Sequence, residues 1–446
     1  MYLVQIQKMR NDALAIFDYA LKAVEPGKLV KNVLNLEGGI LTVENKQYNL
    51  SRYERIIVVG AGKAGAPMAS ALVDMLGDRI TDGFINVKYG YSEPCRIIQI
   101  NEAGHPIPDE QSVYGTTRIL DILSGTGEND LVICLISGGG SALLCAPAEG
   151  LTLEDKQETT SVMLKAGADI RAMNTIRKHL SSVKGGRLAM AAHPSEVLTL
   201  ILSDVIGDPV DSIASGPTAP DRTTFDDCHR VTANYYLKDR YPENVQNYLY
   251  KGFARQIPDT PKPGEAVFQK VQNVIIGNNR LAIEAARRKA EELGYNVHLE
   301  QQPVEGEAKH AARDLTARAK AILNYSNPVK TPACLIAGGE TTVTVYGDGL
   351  GGRNTEFALA AALDIDNYEN IVVLSGGTDG TDGPTDAAGA IADNTTCKQA
   401  GREGTNPHDY LDNNDSYHFF KQMGDLLLTG PTKTNVMDIH LMLIDK

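Results

Sequence analysis

Short, largely apolar runs recur along this 446-residue chain, and each run is followed by glycine or by small residues. These runs occupy residues 55–59, 131–136, 197–202, 274–276, 333–336 and 371–374. Because apolar runs without polar alternation are typical of strands covered on both faces, they indicate parallel strands. Segments with helical length and spacing, such as 64–76 and 112–123, lie between them. The alternation predicts an α/β fold with a doubly wound sheet.

The chain is long enough for two or more domains, and one segment resembles a connector. Residues 257–265 (IPDTPKPGE) contain three prolines in nine positions, and the preceding stretch 235–250 is polar and rich in tyrosine. This composition is typical of an irregular crossing segment. We therefore predict an N-terminal domain over residues 1–255 and a smaller C-terminal α/β domain over 266–446, with a terminal strand near 436–444.

Composition excludes several classes of protein. The chain has 43 Lys plus Arg and 56 Asp plus Glu, a formal charge of −13, which argues against nucleic-acid partners and polybasic membrane contacts. No apolar run approaches the ~18 residues of a membrane span, and the N-terminus lacks a signal-peptide pattern. The six cysteines form no CxxC pair, so we expect buried, reduced thiols at Cys134 and Cys334. We expect a cytoplasmic protein without membrane contacts.

The first glycine-rich turn carries a GxGxxG pattern at Gly60, Gly62 and Gly65, between a predicted strand and a predicted helix. A dinucleotide site also needs an acidic residue at the end of the next strand, where this sequence offers Lys88. The pattern thus lacks its second anchor. Lys63, inside the glycine cluster, is instead predicted to contact an anion beside backbone N–H groups.

A second glycine-rich turn is predicted to start a helix after the run 131–136. Its backbone N–H groups and two hydroxyls suit a carboxylate or a phosphate. A serine nucleophile is the rival interpretation, but the GxSxG elbow is absent. The turn consists of Ser137, Gly138, Gly139, Gly140 and Ser141.

The segment 163–188 reverses the sign of the chain's charge, with six basic residues and one acidic residue. In an acidic protein such a reversal indicates a site for an anionic substrate. We take Arg177 and Lys184 as candidate substrate-binding residues. The six are Lys165, Arg171, Arg177, Lys178, Lys184 and Arg187.

Carboxylates follow two of the predicted strands, in the segments 202–208 and 378–386. Asp204, Asp379 and Asp382 are candidate ligands for Mg²⁺, which favours one or two carboxylates together with substrate phosphates and water. Arg353 stands at the start of a predicted helix after the glycine-rich run 347–352, a place from which it can clamp a phosphoryl group. No HExxH or paired histidine spacing predicts zinc.

Together these motifs resemble one family, the class II glycerate 2-kinases, whose C-terminal part is called the MOFRL domain. The resemblance runs almost end to end, and eight motifs in series make it specific. They are VVGAGKAGAPMASAL from Val58, EAGHPIPDE from Glu102, LISGGGSALL from Leu135, NTIRKHLSSVKGGRLA from Asn174, SDVIGDPVDSIASGPTAPD from Ser203, GGETTVTVYGDGLGGRNTEFAL from Gly338, SGGTDGTDGPTDAAGA from Ser375 and TGPTKTNVMDIHLMLI from Thr429.

The resemblance implies ATP- and Mg²⁺-dependent phosphorylation of D-glycerate to 2-phosphoglycerate, with release of ADP. It also implies a larger Rossmann-like α/β/α domain and a smaller one, with the active site in the cleft between them. By motif match, Lys63, Arg353 and Asp379 would be central, and Asp204 a further candidate. Which aspartate binds the metal and which accepts a proton stays open, as does a monomeric or homodimeric state.

Two other function classes remain at this stage. The GxGxxG turn on a Rossmann-like sheet would suit an NAD(P)-dependent hydroxypyruvate reductase, against which the missing acidic anchor counts. A non-catalytic sensor of small hydroxy acids would have little use for both a metal-type acidic loop and the pair of Lys63 and Arg353.

Overall fold

The computed structural model describes residues 2–446, with side chains from residue 4 onward. Its contacts divide the described chain into two compact units. One unit is Pro26–Ile276, and the other combines the described residues up to Glu25 with Gly277–Lys446. This division differs from the predicted domains, which kept the N-terminus with the first domain and began the second at residue 266.

Helices and strands alternate through both units. The α-helices are α1 (Tyr2–Ala23), α2 (Pro26–Val33), α3 (Gly65–Leu76), α4 (Glu110–Ser124), α5 (Gly140–Leu143), α6 (Leu153–Lys165), α7 (Ile170–His179), α8 (Arg187–Ala192), α9 (Phe225–Asn234), α10 (Glu243–Phe253), α11 (Asn279–Glu292), α12 (Ala308–Tyr325), α13 (Arg353–Ile365), α14 (Thr396–Arg402), α15 (Pro407–Asp412) and α16 (Ser416–Met423). The strands are β1 (Leu34–Glu37), β2 (Ile40–Val43), β3 (Lys46–Asn49), β4 (Arg55–Ala61), β5 (Ile80–Lys88), β6 (Gln99–Ala103), β7 (Asp130–Ile136), β8 (Glu196–Leu202), β9 (Val271–Gly277), β10 (Asn296–Leu299), β11 (Val304–Glu307), β12 (Ala333–Thr342), β13 (Ile371–Gly377), β14 (Gly389–Asp393), β15 (Leu426–Leu427) and β16 (Asp438–Ile444).

The unit Pro26–Ile276 is organised around a sheet of order β6-β5-β4-β7-β8-β9, and a small antiparallel sheet β1-β2-β3 accompanies it. The pairs from β6 to β8 are parallel, which confirms the prediction from the apolar runs. The chain leaves β4 in one direction along the sheet and returns to its other side at β7. Ligands of open parallel sheets bind beyond the carboxyl ends of the strands at this reversal. Ala61 and Ile136, the last residues of β4 and β7, are paired in register.

The other unit has a mixed sheet of order β10-β12-β16-β13-β14-β15, with β11 beside β12. The predicted terminal strand is confirmed as β16, and it lies inside the sheet, antiparallel to both β12 and β13. Every residue of β16 is buried, although its sequence includes Asp438 and His440. The α/β fold with a second sheet domain is therefore as predicted, whereas this sheet is not purely parallel.

Helix α1 packs against α11, β13 and β16, all of which belong to the C-terminal part of the chain. Its buried face includes Met9, Ile16 and Phe17, which are at most 2% exposed. Gly376 in β13 leaves room for this contact, since a Cβ there would lie 2.8 Å from the Phe17 ring. These contacts explain why the N-terminal helix groups with Gly277–Lys446, although it lies far away in sequence.

The prediction of an irregular segment over 235–250 is wrong from residue 243 onward, because α10 begins there. The apolar spacing of this stretch decides the outcome, since Val245 and Tyr241 join Phe225 in one buried cluster. Residues 257–265 do lack helix and strand, as the prolines indicated.

Cys134 and Cys334 are buried and unbridged, as expected. Burial raises the pKa of the Cys134 thiol to about 12, which makes this group unreactive at neutral pH. Across residues 2–446, every helix is too short or too polar to cross a bilayer.

Removing the Phe17 ring tests the packing of α1. We expect Phe17→Ala to lower the free energy of unfolding by about 3–5 kcal/mol, because the ring leaves a cavity between α1 and β13. Tyr19→Ala on the same helix is the matched control, because Tyr19 is 42% exposed and its removal opens no cavity. Urea unfolding followed by circular dichroism measures both, and equal midpoints for the two variants would contradict the packing.

Candidate active site

The turns after β4 and β7 are bonded to each other through their main chains. The Lys63 amide donates to the Gly138 carbonyl at 2.8 Å, and the Ser137 amide donates to the Ala61 carbonyl at 3.2 Å. The Ala64 amide donates to the Ser137 hydroxyl at 3.0 Å. Both predicted anion-binding turns are therefore one rigid element at the sheet's reversal point.

Glycine is required where the two turns touch. A Cβ on Gly60 would lie 2.0 Å from the Leu135 carbonyl oxygen, and one on Gly62 would lie 2.1 Å from the Ser137 Oγ. Gly62 also has a φ of +146°, which side chains disfavour. Two glycines of the GxGxxG pattern thus serve the contact between turns.

The Lys63 side chain lies against Gly139. A Cβ on Gly139 would be 3.5 Å from the Lys63 Cγ and 2.9 Å from the His105 Cδ2. Lys63 is only 8% exposed, so its ammonium group interacts mainly with these neighbours rather than with water. The structure thus brings together Lys63, the second glycine turn and His105, a residue outside the predicted site.

A cavity of about 230 Å³ opens beside the same turn. Gly139 and Ser141 line it together with three basic side chains, Lys156, Arg177 and Lys184. We call these three the basic cluster. Of the predicted substrate-binding residues, Arg177 and Lys184 are therefore placed at one cavity with part of the Ser137–Ser141 turn, and Lys156 joins them unpredicted.

The two lysines of the basic cluster are buried, Arg177 is partly buried, and the cluster lacks acidic partners. The Lys184 Nζ donates to the Leu144 carbonyl at 2.9 Å, and the Lys156 Nζ donates to the Leu180 carbonyl at 3.0 Å. Among residues 4–446, no carboxylate forms an ion pair with either lysine or with Arg177. Buried cations without counterions are costly, so the cavity favours an anionic ligand.

The pKa values in the basic cluster record this cost. Burial lowers the pKa of Lys184 to about 7, and the nearby positive charges of Lys156 and Arg177 act in the same direction. Burial likewise lowers the pKa of Lys156 and of Arg177. An anion in the cavity would reverse these shifts by offsetting the positive charge.

Two further basic residues of the segment 163–188, Lys178 and Arg187, have partners outside the basic cluster. The Lys178 Nζ lies 3.2 Å from the Asp221 carboxylate. Arg187 donates to the carbonyl groups of Lys178 and Ser181. Only part of the reversed charge over 163–188 therefore reaches the cavity.

In the other unit, Arg353 is the first residue of α13, and its side chain forms an ion pair with Asp438. Its Nε and Nη2 donate to the two Asp438 oxygens at 2.6 and 3.0 Å, and its Nη1 lies 2.9 Å from Glu340. Burial opposes the charge, but the carboxylates of Asp438 and Glu340 raise the pKa of Arg353 above its usual value. The guanidinium is thus fixed in orientation, and Arg353 lines a cavity of about 570 Å³.

Asp382 caps the helix that carries Arg353. Its Oδ1 accepts from the Asn354 amide at 2.9 Å, and its Oδ2 accepts from the Thr355 amide and hydroxyl at 2.8 Å. Burial raises the pKa of Asp382 to about 6. With both oxygens engaged, the carboxylate holds the first turn of α13, and its metal role stays a prediction.

Asp379 and Asp204 remain the candidate metal ligands. Each is half-buried in the turn that follows a strand, β13 and β8 respectively. The Asp379 Oδ1 accepts from the Thr381 amide and hydroxyl at 3.0 and 3.1 Å. No group of three His, Cys, Asp or Glu side chains in the described chain is arranged to hold a metal. Mg²⁺ brought by a nucleotide needs only one or two carboxylates, which either aspartate fits.

Sequence patterns missed Lys156 and Asp438. Lys156 lies in the polar helix α6, where a single lysine looks like a solvated residue. Asp438 had a stronger signal, because a carboxylate inside the apolar strand 436–444 needs a partner.

Placing a side chain between the two turns tests the rigid element. We expect Gly62→Ala to destabilise the protein by roughly 2–4 kcal/mol, because Cβ overlaps Ser137 and φ is positive. Gly125→Ala is the matched control, with a φ of −93° and its nearest atom at 3.7 Å. Thermal unfolding of both variants gives the comparison, and equal melting temperatures would refute the close contact.

Comparisons with known proteins agree with the resemblance. Residues 12–250 match a family described as a domain of unknown function, DUF4147, and residues 333–438 match the MOFRL family. A D-glycerate 2-kinase of Thermotoga maritima is 42% identical over 98% of this chain and 99% of its own. An Agrobacterium vitis protein provisionally named as a hydroxypyruvate reductase is 42% identical over 87% and 99%. A crystal structure of glycerate kinase from Thermotoga maritima matches with a TM-score of 0.85 and 41% identity, over 98% of this chain and all of that one. The chain belongs to the glycerate 2-kinase family with a MOFRL domain.

Proposed function

We propose that this protein transfers the γ-phosphoryl group of ATP to D-glycerate, with Mg²⁺, giving 2-phosphoglycerate and ADP. The observation that carries the proposal is the basic cluster at the sheet's reversal point, beside Lys63. Two buried lysines and a partly buried arginine without acidic partners favour a small anion, and glycerate carries a single carboxylate. The names of the related kinases support the same reaction.

The substrate carboxylate is proposed to lie in the cavity of about 230 Å³. Arg177 and Lys184 would supply the opposite charge, and the Ser137–Ser141 turn would supply N–H and hydroxyl donors. Because the two turns are bonded to each other, these donors need no rearrangement to receive the anion. This rigidity favours orientation of the glycerate hydroxyl toward a phosphoryl group.

Lys63 and Arg353 are proposed to offset the charge that spreads over the equatorial oxygens of the transferring phosphoryl group. Asp438 fixes the Arg353 guanidinium before the nucleotide binds. Asp204 and Asp379 are the candidates for two carboxylate tasks, holding Mg²⁺ and accepting the proton of the attacking hydroxyl. Bound Mg²⁺ would offset part of the negative charge of the ATP phosphates.

Hydroxypyruvate reduction is the second candidate, supported by the GxGxxG turn and by the provisional names of two Agrobacterium vitis relatives. The structure weighs against it, because a pyrophosphate would need the space beside Gly60 and Gly62 that Leu135 and Ser137 fill. The ribose anchor is also missing, since β5 ends at Lys88.

An assay with Mg²⁺-ATP and D-glycerate, coupled first to enolase alone and then with phosphoglycerate mutase, tests the reaction. Signal with enolase alone is the expected result and identifies 2-phosphoglycerate. Signal only after mutase would make 3-phosphoglycerate the product. Absence of ADP release, with NADH oxidised by hydroxypyruvate, would replace the kinase proposal by the reductase.

Substitutions at Lys63 and Arg353 test their roles. Arg353→Ala would leave Asp438 buried without a partner, at a cost of about 3–5 kcal/mol, so Arg353→Lys is the cleaner variant. We expect Lys63→Met and Arg353→Lys each to lower kcat by about 100-fold or more, with unchanged circular dichroism. Lys251→Met, at an exposed lysine of α10, should keep normal turnover. Near-normal turnover in either site variant would remove that residue from the mechanism.

A further inference from the structure

The basic cluster brings three formal positive charges to one small cavity. Lys184 is 2% exposed and Lys156 is 8% exposed, so water screens neither ammonium group well. The glycerate carboxylate offers one negative charge in return. A site that holds three cations for one anion has more positive charge than its ligand neutralises.

We propose that the cavity binds the substrate carboxylate together with one proton, which Lys184 takes up from solvent, and that Lys156 is a further residue of this site. The inference rests on the proposed function for the identity of the anion. When the carboxylate binds, neutral Lys184 takes up one proton from solvent and becomes an ammonium group beside the carboxylate. No covalent bond changes.

The groups around Lys184 favour release of its proton when the cavity holds no anion. Lys156 approaches from α6 and Arg177 from α7, and both are positive. The Cys145 side chain is the one neighbour among these that acts in the opposite direction and raises the pKa of Lys184. On the adjoining side, the Asp221 carboxylate behind Gly185 is engaged by Lys178 and by Thr260.

The lowered pKa of Lys184, about 7, makes this exchange measurable near neutral pH. Above that pH, the amine is neutral in the free protein and must gain a proton when the carboxylate binds. Binding therefore weakens as pH rises, because each molecule of ligand removes a scarcer proton from solution. We expect KM for glycerate to rise roughly tenfold between pH 7 and pH 8.5, while kcat changes little.

Calorimetry without nucleotide tests proton uptake directly. D-glycerate is titrated into the full-length protein at about pH 8 in two buffers with different heats of protonation, such as HEPES and Tris. We expect the observed enthalpies to differ by the difference between the buffers' heats of protonation multiplied by about 0.9 proton per site, as a group with a pKa near 7 requires. Equal enthalpies in both buffers would overturn the proposal.

Variants assign the proton to its group. Lys184→Met should abolish the uptake, whereas His105→Gln, at another residue that lines the cavity, should preserve it. Lys156→Met removes a neighbouring positive charge, so the rise in KM should move to higher pH. If Lys156 had only a structural role, the pH at which KM rises would stay unchanged. Lys251→Met is the control for removal of an exposed charge.

The failure of this inference and that of the kinase proposal have different signatures. If the protein makes no phosphoglycerate, but titration with D-glycerate or inorganic phosphate still takes up a proton through Lys184, the kinase proposal fails and the anion site stands. If phosphoglycerate forms without proton uptake, the kinase proposal stands and the proton-linked site is refuted.

Discussion

The hydrogen-bonded contact between the turns after β4 and β7 is the constraint on which the candidate site depends. Parallel pairing brings Ala61 and Ile136 level, so the two turns leave the sheet at the same height. Glycine at positions 60 and 62 then lets the turns approach until Ser137 accepts a hydrogen bond from the start of α3. Lys63 is placed against Gly139 as a result. The chemistry of the cavity follows from the pairing of two strands.

A similar arrangement holds the guanidinium of the other unit. Asp438 fixes Arg353 from within the sheet, while Asp382 caps the helix that Arg353 begins. Both carboxylates are almost completely buried and have multiple donors, so their positions are defined by the fold. In each unit, a candidate phosphate-contacting cation is therefore positioned by neighbouring groups of its own fold, the second glycine-rich turn for Lys63 and Asp438 for Arg353.

Sequence patterns predicted the parallel strands and the glycine-rich turns, because continuous apolar runs and glycine contacts are local in sequence. The comparisons confirmed the family resemblance. The patterns failed where tertiary contacts decide. The sequence of α1 does not indicate that its apolar face packs on β13. The polar, tyrosine-rich composition of 235–250 predicted irregular structure where α10 begins. Lys156 looked solvated because its burial depends on α7 and on the loop after α5.

The basic cluster shows why an acidic protein can hold uncompensated buried cations. In the free protein, Lys184 opposes folding while it is charged, because its pKa of about 7 lies below the value of an unfolded lysine. The unfolded chain binds more protons above that pH, so this group's unfavourable effect on stability diminishes as pH rises from about 7 toward the unfolded pKa of ~10.4. A bound carboxylate removes the same penalty at constant pH. Part of the affinity for an anion therefore arises because the anion removes the cost of the buried positive charge. The protein's overall negative charge weakens this affinity only slightly, because nearby buried charges interact with the anion more strongly than distant, solvent-screened ones.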